Sequence, residues 1–215
     1  MENEAKIKMT LLFDFDGTLA DTLSAAIEIL NRIGPEYKLK KIDTEELQKI
    51  RKMDARELIR YSGLPIYSVP LLAQRVKTEM KNNIEQIKPF QNMPEVLQKI
   101  REQKFELGIV TSNLKENVEK FLVANDLDYF SYIHDESNIF GKGRVLKKVI
   151  KENNFKENNV LYFGDEIRDI EAAREAGIRI VSVGWGFNDP EGLKKLEPDW
   201  LIQSPEEILG ILKNL

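Results

Sequence analysis

An apolar run, Met9 to Phe13, stops in two carboxylates and a glycine: Leu11-Leu12-Phe13-Asp14-Phe15-Asp16-Gly17-Thr18-Leu19-Ala20-Asp21-Thr22. The run reads as a strand apolar on both faces, the pattern of a parallel sheet covered by helices. Asp14 and Asp16 stand two apart, so a persisting strand sends both side chains from one face, with Phe15 on the other. Gly17 can take a positive φ and turn the chain at once. Carboxylates crowded at a strand end repel each other and are costly to desolvate. A divalent cation with oxygen ligands, such as Mg²⁺, is the natural neutraliser, and an Asp so neutralised is a nucleophile toward phosphorus. The rival reading is a plain strand followed by an Asp-rich turn and helix cap. It would win for a lone Asp-x-Asp, but here nine specified positions follow an apolar strand directly.

From Thr22 to about Lys88 the patterning is helical. Leu23, Ala26, Ile27, Leu30 and Ile33 share one face until Gly34-Pro35. Asp43-Thr44-Glu45-Glu46 resembles a capping box, and Asp54 is placed to cap a further helix closed by Gly63. Leu72, Val76, Met80, Ile84 and Ile87 form a long stripe. Beyond Pro89, strands alternate with helices. Strands are expected over 105–110, 129–133, 159–163, 178–183 and 200–202, and Ser204-Pro205-Glu206-Glu207 opens a final helix. Such alternation implies an α/β fold with a parallel sheet, where ligands bind beyond the carboxyl ends of the strands.

Composition narrows the function. The 215 residues carry 32 basic and 36 acidic side chains, a net charge of −4 that makes no electrostatic case for nucleic acid. The absence of cysteine excludes disulfides, thiolate metal sites and a cysteine nucleophile. Met1 to Lys8 is polar and charged, unlike a secretory signal, and no apolar run approaches the ~20 residues that span a bilayer. A cytoplasmic enzyme acting on a small molecule, with no nucleic acid or membrane partner, is expected.

Three further clusters sit at expected strand ends. Thr111-Ser112-Asn113 could cap a helix or, through free N–H groups and the Thr111 hydroxyl, bind a phosphate group. Lys142, in Phe140-Gly141-Lys142-Gly143, is either a surface lysine or the cation that balances nucleophile and phosphate. Lys147 and Lys148 fall inside the following helix and are weaker choices. Gly164-Asp165-Glu166-Ile167-Arg168-Asp169 places two carboxylates four residues apart on a helix start. No Walker loop occurs, Gly184-Trp185-Gly186 lacks the third glycine of a dinucleotide fingerprint, and the sole histidine, His134, is given no role.

DFDGTLADT resembles the first motif of the haloacid dehalogenase superfamily, in its phosphatase branch with a helical C1 cap, and the chain is similar to phosphoglycolate-phosphatase-like members over nearly its whole length. The resemblance implies a Rossmann-like core, residues 1–21 and 89–215, with a helical cap at 22–88. It implies Asp14 as nucleophile and Asp16 as general acid and base. Thr111, with Ser112 and Asn113, would hold the phosphoryl group together with Lys142. The Mg²⁺ ligands would be Asp14, the Asp16 backbone carbonyl and Asp165, and Asp169 would reach metal waters or hold Lys142. The family often has proline after this lysine, where Gly143 stands here, and a small polar residue in place of Glu166, which is either an outer contact or solvated.

Mg²⁺-dependent hydrolysis of a small phosphorylated metabolite through an aspartyl-phosphate is therefore expected, with 2-phosphoglycolate suggested by family similarity alone. A sugar phosphomutase of the beta-phosphoglucomutase type and a catalytically silent binding protein are the alternatives. A dehalogenase is disfavoured because that branch needs no second aspartate at position 16. Arg51, Lys52 and Arg56 are either cap contacts to substrate or a solvated helix face. Monomer and homodimer are both left open.

Overall fold

The computed structural model describes residues 9–53, 55–135 and 141–215. The polar stretch Met1–Lys8, the expected cap Asp54 and Phe140 lie outside the described residues. In chain order the elements are β1 (Thr10–Phe13), α1 (Thr22–Ile33), α2 (Thr44–Ile50), α3 (Ala55–Ser62), α4 (Ser68–Asn82), α5 (Met93–Glu102), β2 (Glu106–Thr111), α6 (Lys115–Ala124), β3 (Tyr132–Asp135), α7 (Lys142–Glu152), β4 (Val160–Gly164), α8 (Ile167–Ala176), β5 (Arg179–Val183), α9 (Pro190–Lys194), β6 (Trp200–Ile202) and α10 (Glu207–Leu212).

The six strands form one parallel sheet in the order β3-β2-β1-β4-β5-β6. This is the doubly wound α/β arrangement expected from the alternating pattern, and the order reverses between β1 and β4. The central strand β1 is buried throughout because helices cover both faces. Leu11, Phe13, Leu107, Ile109, Leu161 and Phe163 point to one side, against α5, α6 and α10. Leu12, Val110, Tyr162 and Ile180 point to the other, against α7 and α8. Phe13 stacks on Phe163 across the β1–β4 pair, with ring centroids 4.4 Å apart, which supports the register of the two strands.

α1 to α4 fill the connection between β1 and α5. Asp21 caps α1 by accepting from the Ser24 N–H, and Asp43 caps α2 by accepting from Glu46. The long stripe through Ile87 does not make one helix. α4 ends at Asn82, and a 3₁₀ turn over Ile84–Gln86 puts Ile84 and Ile87 into the main core instead. β3 begins at Tyr132 rather than near residue 129: Tyr129 N–H turns back to the Leu127 carbonyl, and the chain first meets β2 where Ser131 N–H donates to the Leu107 carbonyl. The final helix starts at Glu207, whose carboxylate accepts from the N–H groups of Gln203 and Ser204. Among the described residues, no helix is long and apolar enough to cross a membrane.

Candidate active site

The carboxyl ends of β1, β2 and β4 converge where the strand order reverses. Asp14 directly follows β1, and its N–H still donates to the Phe163 carbonyl at 2.8 Å, so the sheet itself orients it. Phe15 N–H donates to Asp14 Oδ1 at 2.8 Å. Gly17 then turns the chain with φ of +75°, and a Cβ there would collide with the Asp165 carboxylate. Thr22 Oγ1 accepts from Gly17 N–H at 3.1 Å, tying the turn to the start of α1.

Asp165 follows β4. It accepts from Thr18 Oγ1 at 3.0 Å and from Phe187 N–H at 2.7 Å. One turn into α8, Asp169 accepts from Glu166 N–H at 2.9 Å, and its other oxygen meets Lys142 Nζ and the Tyr162 hydroxyl. Lys142, the first residue of α7, also reaches Asp14 Oδ2 at 2.6 Å. Its ammonium lies 5.4 Å from the Tyr162 ring centroid. Asp14, Asp165 and Asp169 are buried and offer ligand oxygens within 4.8 Å of one another.

Burial dominates the electrostatics. Desolvation pushes the Asp14 carboxyl up to about 7 despite Lys142, with Asp169 adding to the rise. Asp165 is held well above the carboxylate range by burial and by Asp169 and Asp14, against the Phe187 N–H. Burial works to lower the Lys142 ammonium, but Asp14 and Asp169 outweigh it and keep the lysine charged. Asp16 is raised by desolvation, with the Asn113 amide and Thr22 opposing.

At the end of β2, Thr111 is buried and its hydroxyl accepts from Asn113 N–H at 3.0 Å, while Ser112 is exposed. The residue before α6 is Leu114, not Asn113, because the Asn113 side chain is engaged otherwise. Its amide donates to both Asp16 oxygens, and its carbonyl accepts from Leu114 N–H and Asn117 Nδ2. Lys147 pairs with Glu175, Glu166 accepts from Arg168 at 2.7 Å, and His134 is half-buried on β3.

The 184–188 loop was not assigned a role from sequence, yet it closes one side of the site. Besides Phe187 N–H on Asp165, the Trp185 indole donates to the Thr18 carbonyl at 3.2 Å. The Asn188 side chain accepts from Ile167 N–H at 2.8 Å. Gly186 packs so closely on Asp165 that a Cβ would clash with its carboxyl group. The two glycines around Trp185 were the available signal, since close backbone approach is a common reason for glycine. Arg51, after α2, donates to the carbonyls of Phe187, Gly184 and Asn188 at 3.3, 3.2 and 2.8 Å. Lys52 and Arg56 are exposed.

A family model described as haloacid dehalogenase-like hydrolase matches residues 11–183. The chain belongs to that family. This haloacid dehalogenase-like hydrolase is 34% identical to a phosphoglycolate phosphatase of Synechococcus elongatus over 206 residues, covering 95% of this chain and 97% of the relative. A pyrophosphatase, PpaX, of Halalkalibacterium halodurans is 26% identical over 217 residues, covering 94% and 96%. A haloacid dehalogenase-like hydrolase structure from Streptococcus pneumoniae superposes with a TM-score of 0.78 at 19% identity, over 95% of this chain and 98% of that one. The last likeness speaks to the fold. With its family and its phosphatase relatives, this haloacid dehalogenase-like hydrolase is a phosphatase.

Proposed function

We propose that this phosphatase hydrolyses a phosphomonoester through a phosphoaspartyl intermediate on Asp14, with Mg²⁺ as its cation, under a helical cap formed by residues 22–88. One observation carries the reading: three buried carboxylates have oxygens within 4.8 Å of one another, and among the described residues the ammonium paired with them is that of the half-buried Lys142. A buried acidic excess of this kind favours a hard divalent cation with oxygen ligands. The donor set fits Mg²⁺ held by the carboxylates of Asp14 and Asp165 and the Asp16 backbone carbonyl. When bound, the cation supplies Lewis acidity and neutralises charge on the phosphoryl oxygens.

Asp14 attacks phosphorus in line, forming a carboxylate–phosphorus bond as the bond to the leaving oxygen breaks. Asp16, raised above the usual carboxylate range, donates its proton to the departing alkoxide. The resulting Asp16 carboxylate then takes a proton from water, which attacks phosphorus, releases phosphate and frees Asp14. Lys142 balances charge at the nucleophile, and Thr111, Ser112 and Asn113 hold the phosphoryl group. Asp169 positions Lys142.

The relatives' printed names, phosphoglycolate phosphatase and pyrophosphatase, share the phosphoryl group and differ in what leaves. 2-Phosphoglycolate is therefore the first natural ester to assay. p-Nitrophenyl phosphate with Mg²⁺, with EDTA, and with Asp14→Asn tests the chemistry: turnover only in the first sample is expected. No turnover anywhere would indicate a silent binding protein, and bisphosphate-dependent interconversion of sugar phosphates a mutase.

A further inference from the structure

A cavity of about 870 Å³ lies between the inserted helices and the carboxyl edge of the sheet. Asp16, Ser112 and Asn113 form part of its wall, so it opens onto the residues assigned to phosphoryl transfer. The cap side is apolar, with Leu30, Ile50, Leu58, Ile59, Val69 and Met80 among its lining residues.

Several of these side chains do not pack into a core. No residue of α2 is buried, none of residues 56–62 is buried, and Leu58 is 39% exposed. The buried apolar residues of the cap's own cluster are Ile29, Ile33 and Leu72, where α1 meets α4. Helices with apolar faces ordinarily close on each other to interior density. Here α2 and α3 stand around open space instead. The volume lies within the range of sites that enclose drug-sized ligands. A two-carbon acid would leave most of it unfilled and its apolar wall without dispersion partners.

The charges agree. Arg51 has its guanidinium on three backbone carbonyls of the core. Lys52 and Arg56 are not among the lining residues. The lysines that do line the cavity, Lys38, Lys40, Lys77 and Lys81, are all solvent-exposed. Among the lining residues there is no buried cation to meet a carboxylate on the leaving group.

We propose that the leaving group of the natural substrate is predominantly apolar: the substrate is a phosphate monoester of an aliphatic or aromatic alcohol large enough to fill the cap. This rests on the phosphomonoester reading above. The phosphoryl group sits at Asp14, the ester oxygen leaves with the proton from Asp16, and the hydrocarbon lies against Leu58, Ile59 and Val69.

The test is kcat/KM of the full chain with Mg²⁺ on alkyl phosphates from ethyl to octyl, beside p-nitrophenyl phosphate and 2-phosphoglycolate. A rise of roughly threefold per methylene until the cavity fills, with octyl phosphate above 2-phosphoglycolate, is expected. A flat series with 2-phosphoglycolate preferred overturns this inference and leaves the phosphatase reading standing. No turnover of any ester, p-nitrophenyl phosphate included, overturns both. Ala73→Trp supplies an independent arm, since Ala73 lines the cavity from α4 and is exposed. The octyl-to-ethyl ratio is expected to fall at least tenfold, and an unchanged ratio in the folded variant overturns the inference. Should that variant not fold, the wild-type series decides.

Discussion

The Asn113 side-chain amide donates to both carboxylate oxygens of Asp16, at 3.3 and 3.0 Å. Residues 97 apart in sequence are thereby joined at the mouth of the site, and the proposed acid is held in one orientation. Removing the donor withdraws a bond that favours the ionised carboxylate, so Asn113→Ala raises the Asp16 pKa. The alkaline limb of the kcat–pH profile, where Asp16 loses the proton it donates, is expected to move upward, with kcat lower by about tenfold from lost positioning. A drop in kcat with an unmoved limb would refute the link to Asp16.

Lys142 is the ammonium between Asp14 and Asp169. Breaking a buried pair from one side costs about 3–5 kcal/mol, because the surviving charges lose their partner. Lys142→Met is therefore expected to lower the Tm and abolish turnover. Adding Asp169→Asn should recover much of the Tm without restoring activity. Thermal melts and p-nitrophenyl phosphate turnover on both variants measure this.

Arg51 ties the end of α2 to the 184–188 loop, and Phe187 of that loop donates to Asp165. Arg51→Ala should loosen the loop and with it Asp165. The Mg²⁺ concentration for half-maximal activity is expected to rise about tenfold, the equivalent of one lost charge-assisted hydrogen bond. Arg51→Lys should recover little, since one ammonium does not reproduce a planar fork spread over three carbonyls.

Asp14 has its pKa raised from 3.8 to about 7 on folding. The folded state therefore binds this proton more tightly than the unfolded state. The stability it contributes is fully present below pH 3.8 and is lost as pH rises through about 7. In EDTA the Tm should fall across that window. Added Mg²⁺ should raise the Tm increasingly over the same window, because the cation binds the deprotonated carboxylates. A Mg²⁺-induced Tm shift that is constant from pH 5 to pH 8, values taken as roughly bracketing this titration, would count against the assigned ligands.

Gly186 lies against the Asp165 carboxyl group. Gly186→Ala should displace that carboxylate with little effect on the sheet, lowering Mg²⁺-dependent kcat/KM by about 100-fold. Far-ultraviolet circular dichroism and a Mg²⁺ titration distinguish this from unfolding.

Much of the molecule was legible in the chain because its signals are local. A buried parallel strand is apolar at every position, and a strand end that collects carboxylates is conspicuous against it, as at Phe13-Asp14 and Gly164-Asp165. The alternation of strand and helix after Pro89 marked the α/β class. Asn113 as a helix cap was less legible, since a cap and an amide serving Asp16 use the same residue type. The start of β3 is set where Ser131 meets Leu107 of β2, a contact that no local pattern announces.

The sequence by itself determined where β1 and β4 end, the acidic residues at those ends and the helical character of residues 22 to 88, for periodicity and short-range turn chemistry are written within a few neighbouring residues. Only the tertiary structure decided that Lys142 meets Asp14 and Asp169, that Arg51 grips core carbonyls, and that Leu58 and Val69 face a cavity rather than one another. An apolar helix face has the same period whether it closes on a core or stands around open space. Which of the two it does depends on how far its neighbours stand off, and that is set by contacts between distant parts of the chain.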